Sequence, residues 1–342
     1  MIAGIGTAFP AAVAQDVLWE GFFRDHFGGA RVAERIFRAP FLRRRHAAVN
    51  PVLEDVSGWS TGRRMRRYAE EAPPLGHRAI TAALAESGLD AADIGLLAVV
   101  SCTGYSTPGL DVRLAESLAL PDRVQRLCIG HMGCYAAVPG LGAVGDFTAA
   151  RDRPAVLLCE ELTSLHLQPP TSDPEQIVPH ALFGDAAVAL VVRPGGRGLE
   201  LLDVDARTDT SASAYMTWDI TDLGFRMGLS PKVPDVLADH VAEVTADLLG
   251  RNGYGPDDVR AWAVHPGGPR ILDTVREALG LAPEALDASW SVLAEHGNCS
   301  SATLPLVVDE LRRGGALDGG GPVVAMAFGP GLTLYAALLR AG

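Results

Sequence analysis

The stretch IGHMGCYAAVPGLGAVGDF, Ile129 to Phe147, decides how this chain is read. An apolar strand ends at Gly-His, a cysteine stands where strand turns into helix, and glycine and alanine crowd the turns that follow. A helix start carries unpaired backbone N–H groups and the positive end of the macrodipole, and both favour a thiolate at Cys134. Gly133, Ala136 and Ala137 leave room for another backbone or a thin substrate arm. Taken alone, the segment fits a small buried core thiol equally well, the commoner fate of a free cysteine.

Outward from this stretch the pattern is layered α/β. IGLLAVVSC, QRLCIG, PAVLLCEE and DAAVALVV are short continuous apolar runs, as in strands covered on both faces. A helix is expected over about 110–118 and another over 235–249, and GPVVAMAFGPGLTLYAALL closes the chain as two strands around a Gly-Pro-Gly turn. RPGGRG, at Arg193–Gly198, is the most plausible seam. It divides the chain into halves 1–195 and 196–342, the first carrying Cys134 and the second carrying His265 and Asn298. HMGCYAAVP (His131–Pro139) and HGNCSSATLP (His296–Pro305) echo each other, each leading into an apolar helix and then a strand. The echo predicts a duplicated α/β unit whose two central helices bring their N-termini to one site. Pro139 falls about a turn into the first of these helices, where it is either accommodated or kinks the helix.

In AWAVHPGGPRILD, His265 ends a strand, the position from which side chains face ligand crevices in α/β sheets. A histidine there can take a thiol proton or donate to a carbonyl oxygen. In HGNCSSATL, Asn298 is either an N-cap or an amide aimed at an oxyanion. Cysteine, histidine and asparagine in this order suit thioester chemistry. Cys299 also lies at a helix start, yet no second His-Pro-Gly-Gly turn serves it, so it is expected to be structural.

Composition excludes other classes. The chain has 342 residues, 48% of them apolar, and a net charge of -12, which offers no basic field for nucleic acid. No uninterrupted apolar run approaches the ~18 residues of a membrane span, and no basic leader opens the chain, so a soluble cytoplasmic protein is expected. Five cysteines without C-x-x-C spacing argue against a disulfide framework or a zinc site.

With these residues in place, the sequence resembles the type III polyketide synthases of the chalcone and stilbene synthase superfamily. GHMGCYAA, ALFGDAAVALVV, VHPGGPRILD, GNCSSATL and FGPGLTLY stand in family order, and SCTGYSTPGLD resembles the bacterial branch. Initiating β-ketoacyl synthases share the residue set, but they show His-Gln-Ala-Asn where this chain has His265-Pro266-Gly267-Gly268. The resemblance implies a thiolase-like, five-layered αβαβα fold built from two duplicated halves, in a homodimer. It implies that Cys134 accepts a starter from an acyl-CoA, and that His265 keeps Cys134 ionised. With Asn298, His265 would also hold the enolate formed as malonyl-CoA decarboxylates ahead of a Claisen condensation and cyclisation. Metal and tightly bound cofactors are not implied; coenzyme A thioesters are the substrates, with an acyl carrier protein as the other source of acyl groups.

The same resemblance places Phe183 and Phe225 as gates between coenzyme tunnel and cavity, and Thr163, His166, Met216 and Trp218 on the cavity wall, restricting it. It places Arg43, Arg44 and Arg45 near the coenzyme's phosphates, with a solvated charge run as the alternative. Tyr-Ala-Ala-Val-Pro after Cys134, where the family usually has a glycine pair, and Phe-Gly-Asp-Ala where Phe-Gly-Asp-Gly is commoner, are departures. Two other activities fit the residues: a single-step condensing or acyl-transfer enzyme of the thiolase fold, and a non-catalytic acyl-binding homologue.

Overall fold

The computed structural model describes residues 1–342, the side chain of Pro174 apart. Nine strands are hydrogen-bonded in the order Ala261–Val264, Gly321–Gly329, Thr333–Ala341, Leu199–Thr208, Ile2–Ala8, Ala186–Val192, Ala155–Glu161, Leu96–Val100 and Gln125–Ile129. The join in the middle is slight, because Leu199–Thr208 and Ile2–Ala8 pair only at Leu199 and Ile2. Two sheets therefore meet at a corner, and they have one topology. In the first, Ile2–Ala8 runs antiparallel to Ala186–Val192, which runs antiparallel to Ala155–Glu161, which runs parallel to Leu96–Val100. In the second, Leu199–Thr208, Thr333–Ala341, Gly321–Gly329 and Ala261–Val264 repeat those relations in the same chain order. Only Gln125–Ile129 has no counterpart in the second half.

Three of the expected strands are fully buried, Ala155–Glu161, Ala186–Val192 and Leu96–Val100 having no exposed residue. Gln125–Ile129, expected to be covered on both faces, is instead exposed along most of its length because it is an edge strand of the sheet. Helices cover both faces. The long helix Thr61–Ser87 packs outside the first sheet, and Val233–Arg251 with Pro269–Ala278 packs outside the second. Ala137–Arg151 and Thr303–Arg313 share the layer between the sheets, burying Val138, Leu141, Val144, Leu304, Val307 and Leu311 in one core. Three cores separating five layers are the αβαβα arrangement. Pro139 lies in the first turn of Ala137–Arg151, where a missing N–H costs no hydrogen bond, so the helix runs on through it.

This layering positions the chemistry. Both central helices are entered through tight turns, Gly133–Tyr135 and Ser300–Ala302. Gly133 sits at φ +74, and a β-carbon there would run into the Pro330 ring, 2.6 Å away, so the turn that carries the next residue, Cys134, accepts only glycine before it. At the opposite edge of the first sheet Gln125–Ile129 leaves one side unpaired, with Leu127 exposed.

Candidate active site

Cys134, His265 and Asn298 come from three separate segments and meet at one end of a cavity of about 620 Å³. Cys134 is buried in the turn before the first central helix, with Sγ 4.0 Å from Asn298 Oδ1. His265 directly follows the strand Ala261–Val264, and its amide continues the parallel ladder by donating to the Met326 carbonyl at 2.9 Å. Its ring is 1% exposed, and neither ring nitrogen has a partner among the described residues. Buried nitrogens left open toward a cavity are available to a ligand.

Asn298 is fixed by its backbone. Its N–H donates to the Leu182 carbonyl at 2.7 Å and its carbonyl accepts from Gly184 at 3.0 Å, a one-residue bridge that also aligns Phe183. The Ser300 N–H donates to Asn298 Oδ1 at 2.9 Å, which assigns the amide's orientation. Nδ2 has no acceptor among the described residues, so the donor half of the amide is free for an oxyanion.

The helix start does not by itself ionise Cys134. Burial pushes the thiol up to about 12, outweighing the hydrogen bond with Ser300 that favours the thiolate. Burial likewise pushes His265 down to about 3. Taken singly, both groups are neutral in this dry pocket. In so dry a pocket a thiolate is favoured only beside a positive partner, because an ion pair offsets part of what burial costs each charge. Behind them, Cys102 Sγ lies 3.4 Å from Ser300 Oγ and 3.5 Å from the buried Glu161 carboxylate. Glu161 also accepts from the Cys102 N–H at 3.0 Å and from Thr103 and Ser301 hydroxyls at 2.8 and 2.5 Å. The sequence reading missed this polar floor, because its members are distant in the chain. Cys299 is fully buried against the His296 carbonyl, lines none of the cavities, and burial raises its thiol well above the ordinary range.

The aromatic residues are arranged differently from the expectation. Phe183 does stand at the junction, lining the 620 Å³ cavity and two smaller voids of about 20 and 70 Å³. Phe225 does not: it lines only the 70 Å³ void, stacked on His166 with centroids 4.4 Å apart. Its place opposite Phe183 is taken by Trp218, edge-on at 6.1 Å and tied by Nε1 to the Cys102 carbonyl at 2.8 Å. His166 lines the same rear void, with Nε2 donating to the Thr103 carbonyl at 2.7 Å and Nδ1 accepting from the Phe225 N–H at 3.0 Å. Both nitrogens are spent, so His166 acts as a wedge, not as a reactive group. Thr163 lines both small voids but commits its hydroxyl to the Gly184 carbonyl and Asp185 at 2.9 and 3.0 Å. Met216 lines the large cavity. Cys134 also lines the 20 Å³ void, walled by Cys102, Thr163, Trp218 and Ser300 among others.

Arg43, Arg44 and Arg45 line no part of the large cavity. Arg43 and Arg44 pair with Glu295 at 2.5 and 2.7 Å on the surface. Arg45, in the three-residue strand Arg44–His46, alternates inward and is 6% exposed. The basic side chain that does line the cavity is Arg270, in the first turn of Pro269–Ala278, exposed and without a carboxylate partner among the described residues.

The chain matches two family descriptions: "Chalcone and stilbene synthases, N-terminal domain" over residues 1–196 and "Chalcone and stilbene synthases, C-terminal domain" over residues 209–341. A 1,3,6,8-tetrahydroxynaphthalene synthase of Streptomyces peucetius subsp. caesius is 35% identical over 313 residues, spanning 90% of this chain and 82% of the relative. An alpha-pyrone synthesis polyketide synthase-like protein of Mycobacterium tuberculosis is 33% identical, spanning 79% of this chain and 71% of the relative. Among solved structures, PKS-I from the brown alga Ectocarpus siliculosus superposes with a TM-score of 0.91 at 29% identity, covering 100% of this chain and 98% of the other.

The electrostatics predict how Cys134 reacts with iodoacetamide. With His265 present, the alkylation rate levels off at lower pH than in His265→Ala, where the isolated buried thiol keeps reacting faster as pH rises toward its raised value near 12. Rates measured between pH 6 and 10 test this, and superimposable profiles would remove His265 as the proton acceptor.

Proposed function

The chain belongs to the chalcone and stilbene synthase family, the type III polyketide synthases, and we propose that it condenses a small acyl-CoA starter with malonyl-CoA on Cys134. The observation that carries this reading is the meeting of Cys134, His265 and the free Asn298 amide at the inner end of one cavity. In loading, Cys134 gives its proton to His265 and attacks the starter thioester. The C–S bond to coenzyme A breaks, and the departing thiolate takes the proton from His265.

Malonyl-CoA then enters with its thioester oxygen toward Asn298 Nδ2 and a His265 N–H. Loss of CO2 leaves an enolate whose charge these donors hold. The enolate carbon attacks the Cys134 thioester, a C–C bond forms, and the Cys134 C–S bond breaks. The released coenzyme thioester is two carbons longer and can be reloaded. The low polarity of the pocket strengthens each hydrogen bond to the developing oxyanion.

We assign the coenzyme's phosphates to Arg270 in place of the Arg43–Arg45 run. A second copy of the chain is the partner we propose for the open edge of Gln125–Ile129, giving a homodimer. Five free cysteines favour a reducing cytoplasm. The 20 Å³ void that Cys134 also lines supports a short product, with Trp218 as the stop.

Release of labelled CO2 from malonyl-CoA tests the reading. Asn298→Ala is expected to lower it roughly 10²- to 10³-fold, while acylation of Cys134 continues; CO2 release independent of Asn298 would contradict the assigned chemistry. Arg270→Glu is expected to raise KM for malonyl-CoA and leave KM for the malonyl thioester of N-acetylcysteamine unchanged, and equal effects on both would exclude a phosphate contact. Trp218→Gly joins the two inner voids and lengthens the product by at least one two-carbon unit, read by mass spectrometry; an unchanged product would place the stop elsewhere.

A further inference from the structure

Arg45 is a buried cation without a buried anion to pair with. Its Nη1 donates to the carbonyls of His180 and Phe183 at 2.6 and 2.8 Å, the last turn and C-cap of the helix Pro174–Leu182. The guanidinium lies 5.8 Å from the ring centroids of both Phe23 and Phe37. No carboxylate forms a salt bridge with it among the described residues. The Asp185 carboxylate, buried nearby, is already committed to the Ala48 and Ser164 amides and the Thr163 and Ser164 hydroxyls.

The stem of Arg45 reaches the other strand of the bridge. A β-carbon on Gly297, which sits at φ +72, would lie 3.2 Å from Arg45 Cγ and 3.3 Å from Cδ. One side chain therefore holds the Phe183 carbonyl at its tip and packs along the residue before Asn298 with its stem. Between those two contacts lie the hydrogen bonds from Asn298 to Leu182 and from Gly184 to Asn298, at 2.7 and 3.0 Å.

We propose that Arg45 is a positioning residue for the condensing site: by clamping the Phe183–Asn298 bridge from both sides, it fixes the direction of the Asn298 amide. A cation suits the task because the carbonyls ending a helix carry partial negative charge, and the one nitrogen Nη1 donates to two of them. Methionine fills much of the same space but donates to neither carbonyl. A lysine ammonium can also donate to both carbonyls but on a shorter, differently packed stem, and replaces part of the clamp.

The inference rests on the condensing reading, and its test separates the two. Cys134 acylation by an acyl-CoA, followed by intact mass, does not need the Asn298 amide; CO2 release from malonyl-CoA does. In Arg45→Met, CO2 release per folded molecule is expected to fall about tenfold or more, at an unchanged KM for malonyl-CoA, with the acylation rate within about twofold of the parent. Arg45→Lys is expected to recover part of the loss. In the double variant with Asn298→Ala, CO2 release is expected to be no slower than in Asn298→Ala alone, because both changes act through one amide.

Acylation and CO2 release falling together, or additive losses in the double variant, would make Arg45 a structural residue and overturn the inference. Should Arg45→Met fail to fold, the same cycle with Arg45→Lys decides between additive and non-additive losses. A parent protein that neither acylates Cys134 nor releases CO2 would overturn the condensing reading, and this inference with it.

Discussion

The confinement of Ala137–Arg151 and Thr303–Arg313 to a single layer between two sheets is the constraint from which the site follows. Two helices confined to that layer must each be entered from the same end of the molecule, because the halves repeat one topology. Cys134 lies in one entry turn and Asn298 two residues before the other, and Cys134 Sγ comes within 4.0 Å of Asn298 Oδ1. The second sheet then adds His265 at the end of a short parallel strand, beside the same turns. Small residues at the crossing are what the packing demands. Gly329 illustrates it, since a β-carbon there would lie 3.2 Å from the Cys134 amide and 2.8 Å from the Tyr135 ring.

Burial does the electrostatic work and sets its limits. A site dry enough to make each hydrogen bond to an enolate strong is also dry enough to keep an isolated thiol and an isolated imidazole neutral. In the proposed reading, proton transfer from Cys134 to His265 would leave the pocket's total charge unchanged, so a pair could do what the helix dipole does not do alone. The Glu161 carboxylate beneath them adds negative charge that opposes the thiolate, so a proton acceptor next to Cys134 is all the more necessary. Serine, threonine and backbone donors around Glu161 keep that floor hydrogen-bonded without any counter-cation within it.

The layered fold and the three central residues could be read from the sequence because each left a local trace. Continuous apolar runs marked the buried strands, the echo of His-Met-Gly-Cys and His-Gly-Asn-Cys marked the duplication, and His265 stood where an apolar run broke at Pro-Gly-Gly. What stayed hidden depends on contacts between distant segments. Arg45 belongs to a run of three arginines that reads as a solvated patch; the first two do lie on the surface, and only the last, inside the short strand Arg44–His46, is buried. Phe225 and Trp218 lie on facing strands of one hairpin, where Met227 opposes Trp218 and Ile220 opposes Phe225. Which of the two faces Cys134 is set by how that hairpin seats on His166 and Cys102, far away in the chain. The contact between Cys102 and Ser300 spans 198 positions and leaves no local signature at all.

The central claim is that Cys134, alone among the five cysteines, carries the growing acyl chain. Peptide mass spectrometry after incubation with a panel of acyl-CoA starters, with and without malonyl-CoA, tests it most directly. The account predicts a starter adduct on the peptide holding Cys134, lengthened when malonyl-CoA is added, and no adduct on Cys102 or Cys299. Acylation at Cys299 or Cys102 in preference to Cys134, or no covalent adduct with any starter while product still forms, would contradict it.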